Sequence, residues 1–238
     1  MVIIMQTYGV FDIIGPRMVG PSSSHTAGAA KLGRMAYRIA GGGSALSNAT
    51  GSVAASCIKK AKITLFGSFA TTGRGHGTDK ALVAGILGLE PDDPRIRYSM
   101  LLAQEADVEV EIEFSEEPAD HPNTAHIHLE GQNGKITDVT GASVGGGNIL
   151  ITNVNGMEVK FSGEYPTLII RHTDVPGVIN MVTLILAKEQ VNVAFMRVFR
   201  HGRRSDACMV IETDSPVSER VCQLIADWCE PVTEVSAV

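Results

Sequence analysis

From residue 167 to residue 238 the chain switches between two hydrophobic periods, and the order of the switches admits few folds. Residues 167–171 form a β-branched run that ends at the loop Asp174-Val175-Pro176-Gly177. Val178, Val182, Ile185 and Leu186 then recur at the spacing of one helix face. In residues 192–200, Val193, Phe195 and Phe199 share one side and Ala194, Met196 and Val198 the other, which is strand periodicity. The turn His201-Gly202-Arg203-Arg204 leads to an antiparallel partner at 207–213. Ser215 and Pro216 read as an N-cap and a first helical residue, followed by the apolar stripe Val217, Val221, Leu224, Ile225 and Trp228. Residues 232–238 supply a last strand.

The resulting order, β-α-β-β-α-β, predicts a ferredoxin-like unit over residues 163–238. Gly163 and Pro166 punctuate its start, within a boundary zone at 159–166. Residues 1–162 read as a second, mixed α/β unit, so the class is α/β (α+β). Helices are expected over 26–39, 78–87 and 96–106, the first weakened by Gly28 and Gly33. Strands are expected over 62–69, 108–114, 125–129, 136–139 and 149–154. In 108–114 the side chains of Glu109, Glu111 and Glu113 alternate with Val110, Ile112 and Phe114, which predicts one solvated sheet face rather than three catalytic carboxylates.

Charge narrows the function classes. The chain carries 20 basic and 26 acidic side chains, a net charge of −6. That balance, without a basic run, argues against a nucleic-acid or anionic-membrane partner. Residues 1–5 are apolar but Gln6 interrupts them, so no signal peptide is expected, and no run is long enough to span a bilayer. The four cysteines, Cys57, Cys208, Cys222 and Cys229, form no C-x-x-C pair, so no metal site is expected in this chain. Thiols without export signals suggest a cytoplasmic location.

Polar side chains among turn-forming residues mark four places for chemistry. In Gly20-Pro21-Ser22-Ser23-Ser24-His25-Thr26-Ala27-Gly28, hydroxyls and an imidazole precede a helix, a setting that suits a carboxylate or phosphate. An ordinary serine or threonine cap accounts for the same residues. Thr71-Thr72-Gly73-Arg74-Gly75-His76-Gly77-Thr78-Asp79-Lys80 reads as a loop between strand and helix. It lacks the phosphate-loop pattern, which argues against nucleotides, and Asp79 is placed to cap the helix or orient His76. His121-Pro122-Asn123-Thr124 is a stiffened turn. Gly141-Ala142-Ser143-Val144-Gly145-Gly146-Gly147-Asn148 serves equally as an anion-binding backbone or a turn between strands. His126 and His128 face the same way on a strand and lack a third metal ligand, so they read as surface residues.

Taken in order, Ser22-Ser23-Ser24-His25-Thr26, Gly75-His76-Gly77-Thr78-Asp79, His121-Pro122-Asn123-Thr124 and 143–147 resemble the beta subunit of iron–sulfur-dependent L-serine dehydratase (L-serine ammonia-lyase). The likeness spans nearly the whole chain, whose tail resembles that subunit's ACT domain, and the front also resembles the allosteric substrate-binding domain of some phosphoglycerate dehydrogenases. The resemblance implies conversion of L-serine to pyruvate and ammonia, with a [4Fe–4S] cluster held by a separate alpha subunit. It assigns catalysis to His76, His121 and His25, with His76 the α-proton base. It assigns substrate binding to Ser22, Ser24, Thr26, Thr78, Asp79, Asn123, Thr124 and Ser143. An amino-acid effector, L-serine, would sit at Asp174, Gly177 and Val178, with Asn192 completing the pocket across a homo-oligomer interface. The alternative is a non-catalytic amino-acid sensor built from the same two units.

Overall fold

A computed structural model of the protein describes residues 18–42 and 56–238, and the expectation for residues 1–5 lies outside them. The first sheet comprises β1 (Ile58–Leu65), β2 (Glu109–Phe114), β3 (Thr124–Gly131), β4 (Ile136–Gly145), β5 (Asn148–Val154) and β6 (Met157–Phe161). Its order is β2-β1-β3-β4-β5-β6, with β1 and β2 parallel and the remaining neighbours antiparallel. Side-chain alternation decides its two faces. Ala125, Ile127 and Leu129 of β3 are fully buried, while His126 and His128 point to the opposite side. On that open side Glu109, Glu111 and Glu113 run beside Lys60 and Lys62, with Nζ–Oε distances of 2.9 Å for Lys60–Glu109 and 2.8 Å for Lys62–Glu113. The expected solvated face is therefore a ladder of exposed ion pairs, each contributing little because water screens both charges.

Helices α1 (Ala29–Ile39), α2 (Gly67–His76), α3 (Thr78–Ile86) and α4 (Ser99–Glu105) cover the other face. A π-helical turn, Ser23–Gly28, precedes α1, and a 3-10 turn, Pro94–Tyr98, precedes α4. The glycines that weaken a helix by propensity are needed where α1 crosses α3. A Cβ on Gly33 would collide with the Leu82 carbonyl oxygen, and one on Gly85 with that of Ala30.

Two expectations are corrected here. The strand predicted at 62–69 ends at Leu65, and Gly67 (φ +54) turns the chain into α2. The predicted loop at 71–80 is mostly helix, broken only by Gly77 at φ +70. Thr71 and Thr72 donate their hydroxyls to the carbonyls of Gly67 and Ser68, and the fully buried Phe69 anchors α2 to the core. Tertiary burial overrides the weak local propensity of Gly73 and Gly75.

The second sheet contains β7 (Thr167–Thr173), β8 (Val193–Arg200), β9 (Asp206–Thr213) and β10 (Val232–Ala237), in the order β10-β7-β9-β8. With α5 (Val178–Lys188) and α6 (Glu219–Trp228) on one face, this is the expected ferredoxin-like arrangement. Leu168, Ile170, Met209 and Ile211 pack under those helices. Ile169, Cys208, Val210 and Val238 instead join the core of the first unit, so the two sheets share apolar surface. The cap expected at Ser215 is displaced: Thr213 Oγ1 donates to the Ser215 carbonyl at 2.8 Å, and α6 begins after Ser218. Trp228, assigned to the buried stripe, is 74 % exposed. Among the described residues no helix is long and apolar enough to cross a membrane.

Candidate functional site

The first motif builds outward from its cap. Ser22 Oγ accepts a hydrogen bond from the His25 amide at 3.1 Å, so the ordinary-cap reading holds for this residue. The π turn that follows carries the half-buried His25 ring onto α2, a kind of irregularity frequent at functional sites. His25 Nε2 lies 3.2 Å from Ser68 Oγ and 3.1 Å from Thr72 Oγ1, two hydroxyls one helical turn apart. Phe69 meets the imidazole edge-on at 5.3 Å between centroids, and the His76 ring lies at 4.9 Å. Burial, followed by the proximity of His76, lowers the pKa of His25 below the ordinary histidine value.

His76 is held differently. Its Nδ1 donates to the Thr72 carbonyl at 3.1 Å, because a carbonyl can only accept. That bond places the neutral ring's proton on Nδ1. The Nε2 lone pair is left without a partner among the described residues, on an exposed side chain. Thr26 Oγ1 donates to the His76 carbonyl at 3.3 Å and ties the first motif to the end of α2. Asp79 does not orient His76: its Oδ1 accepts from the Lys80 amide at 2.8 Å, and the Thr72 carbonyl performs the orienting.

The third motif braces this assembly from below. The Pro122 carbonyl accepts from the Phe69 amide at 3.2 Å, satisfying a free N–H in the first turn of α2. Thr124 Oγ1 donates to the His121 carbonyl at 2.7 Å, and the Asn123 amide donates to His121 Nδ1 at 3.1 Å. Asn123 Nδ2 donates to the Ser143 carbonyl at 3.4 Å, linking this turn to the fourth motif. His121 forms no hydrogen bond or ring contact with His25 or His76 among the described residues. Its ring lines an 820 Å³ cleft on the helix-free face, with Phe66, Val144 and Leu150. There His126 Nε2 and His128 Nδ1 both approach Asp138 Oδ1, at 3.2 and 2.9 Å.

The fourth motif is a hairpin: β4 runs to Gly145, and Gly146 and Gly147 make the turn to β5 at positive φ. Ser143 is fully buried beneath Gly28, where any Cβ would collide with Ser143 Oγ. Its hydroxyl and that of Thr78 are buried without a hydrogen-bond partner among the described residues. Ser24 is half-buried within the π turn. The structure thus gathers His25, His76, Ser22, Ser24, Thr26 and Thr78 around the junction of the π turn, α2 and α3. Sequence reasoning missed Ser68 and Thr72, whose i, i+4 spacing would place both hydroxyls on one side had 67–76 been read as a helix.

The remaining assigned residues lie in the second unit. Asp174 Oδ2 accepts from Arg200 Nη1 at 3.1 Å, Gly177 (φ +96) precedes α5, and Val178 is buried. Asn192 donates to Asp214 Oδ2 at 2.6 Å at the far end of β8, roughly 26 Å from Arg200 by strand rise. Only a second copy could bring an Asn192 to Asp174. Burial pushes the Cys208 thiol up to about 11 and raises those of Cys222 and Cys229, which disfavours the thiolates that iron requires. These thiols do not fit an iron–sulfur centre.

Comparison with known proteins follows the same motifs. Residues 9–117 match the family model described as serine dehydratase beta chain. The chain is 38% identical over 217 residues to a probable L-serine dehydratase beta chain of Bacillus subtilis (strain 168), covering 91% of this chain and 92% of that one. It is 37% identical over 217 residues to the L-serine dehydratase beta chain of Peptoniphilus asaccharolyticus, with 90% and 91% covered. A D-3-phosphoglycerate dehydrogenase of Synechocystis is 31% identical over 100 residues, 42% of this chain and 18% of that protein.

Proposed function

The chain belongs to the L-serine dehydratase beta-chain family, and from that premise we propose that it supplies the acid–base residues of an L-serine ammonia-lyase completed by an alpha subunit. The beta-chain designation of its relatives supports a multi-subunit enzyme. The observation that carries the catalytic part is the His76 imidazole, with Nδ1 committed to the Thr72 carbonyl and Nε2 open. Loss of water from L-serine needs a base for the α-proton, and Nε2 of a neutral imidazole is such a base near neutral pH. His25, kept neutral by burial, would hold the Ser68 and Thr72 hydroxyls in place beside it. Removing the α-proton and the β-hydroxyl yields an enamine, which tautomerises and hydrolyses to pyruvate and ammonia. Ser24 and Asn123 would bind the substrate's polar ends, with His121 a second proton-handling residue.

In this reading a [4Fe–4S] cluster on the alpha subunit supplies the Lewis acid for the departing hydroxyl. The poor fit of Cys208, Cys222 and Cys229 supports placing that cluster on the partner. The order of the second sheet and the phosphoglycerate dehydrogenase match support an ACT-type tail for oligomerisation and L-serine regulation. The protein would act in the cytoplasm.

Anaerobic reconstitution with an alpha subunit and a pyruvate assay tests the proposal. Turnover that falls at least about a hundredfold in His76→Gln supports it. A serine-binding assembly without turnover would replace it with the sensor reading.

A further inference from the structure

A 160 Å³ cavity lies between the outer face of α1, the β4–β5 hairpin and the connector into β7. One wall carries Lys31, Arg34 and Arg38 of α1, and Asn148 stands at the hairpin. Arg34 is paired with Glu90, whereas Lys31 and Arg38 form no salt bridge among the described residues. On the connector side stands Glu164, also without a salt-bridge partner among the described residues.

Each end of the cavity holds an excess of one charge. Arg38 is exposed; partial desolvation and then the neighbouring Arg34 weigh against its charged form, and Glu90 offsets them in part. At the other end Glu164 lies near Glu212 of β9, which is 5 % exposed and has Arg197 Nη1 at 3.7 Å. Burial raises the Glu212 carboxyl, Arg197 lowers it, and Glu164 raises it again. A guest with a negative and a positive end would relieve both crowded ends together, whereas a simple anion would relieve one and worsen the other. The volume suits a small guest.

We propose that this cavity binds a small zwitterionic α-amino acid, with its carboxylate on Arg38 and Lys31 and its ammonium on Glu164. The site is separate from the His25–His76 group and from the Asp174 loop. Because its walls come from α1 and from the connector into β7, occupancy would tie the two units together.

Calorimetry on the full chain, with L-serine, L-alanine and glycerate as probes, tests this. Glycerate keeps the carboxylate and replaces the ammonium with a hydroxyl. The amino acids should bind, and Arg38→Gln should weaken one of the sites on each chain at least about tenfold. Glu164→Gln should weaken the amino acids about tenfold while leaving glycerate unchanged or tighter. Its exposed side chain forms no hydrogen bond among the described residues, so that variant keeps the test valid should Arg38→Gln fold poorly. His76→Gln should bind like the wild type, which separates this site from the proposed catalytic one. Absence of binding by every probe, affinities unmoved by both cavity variants, or binding lost in His76→Gln would each overturn the assignment.

Discussion

His25 and His76 lie 4.9 Å apart between ring centroids, at 39° between planes, and are anchored to α2 through different kinds of atom. His25 uses Nε2 toward the Ser68 hydroxyl, which can either donate or accept, and toward the Thr72 hydroxyl, whose proton goes to the Ser68 carbonyl. His76 uses Nδ1 toward a carbonyl that can only accept. The neutral form of the His76 ring is therefore locked with Nε2 outward.

The lock predicts asymmetric consequences for the two rings. In the reconstituted enzyme, His76→Gln should lower kcat by about a hundredfold to ten-thousandfold with little change in KM. His25→Asn should do less, because its contacts hold hydroxyls rather than present a free lone pair. Equal losses in steady-state pyruvate assays would contradict that order.

Acid should destabilise the protein partly through His25. Its folded pKa is lowered, so the unfolded chain binds the proton more readily once the pH drops below about 6.5. Stability is unaffected by this group above that pH, declines as the pH falls toward the folded pKa, and levels off below it. Urea titrations at pH 7.5 and 5.0 should show a larger drop in midpoint for the wild type than for His25→Asn.

Packing sets the outcome at the α1–α3 crossing. Gly85→Ala gains about 1 kcal/mol of helix propensity but drives a methyl group into the backbone of α1. Overpacking against backbone costs about 1–3 kcal/mol or more, so destabilisation should win. A thermal melt should shift downward by several degrees, at about 2–4 °C per kcal/mol for a chain of this size.

Thiol chemistry should follow burial. With its pKa raised to about 11, Cys208 is almost wholly protonated at pH 8 and should resist a thiol reagent until the protein unfolds. Cys229, fully buried, should behave alike, and mass spectrometry of the native, labelled chain would show both unmodified.

Strong periodicity made the second sheet legible, from the alternation in β8 to the stripe of α5. Two features were not legible for identifiable reasons. β6 is a short strand in which Met157, Val159 and Phe161 alternate with Glu158 and Lys160. Its hairpin signal is Asn155-Gly156, both at positive φ, but the strand overlaps the boundary zone at 159–166, whose glycine and proline punctuation masks it. Helix α2 is rich in glycine and threonine, and burial of Phe69 rather than local preference makes it helical. Because α2 was read as a loop, the four ordered motifs were visible while their arrangement around Ser68 and Thr72 was not. The displaced start of α6 has a local origin: the Thr213 hydroxyl bonds the Ser215 carbonyl two residues on, a contact that the Ser-Pro cap pattern does not record.

Ile169, Cys208, Val210 and Val238 from the second sheet sit among side chains of the first. Severing the chain after residue 162 would lay bare a greasy flank on both fragments, each inclined to clump with its own kind. Neither half-molecule can stand in faithfully for its share of the intact polypeptide, and a mutation in one half can surface as insolubility traced to the other.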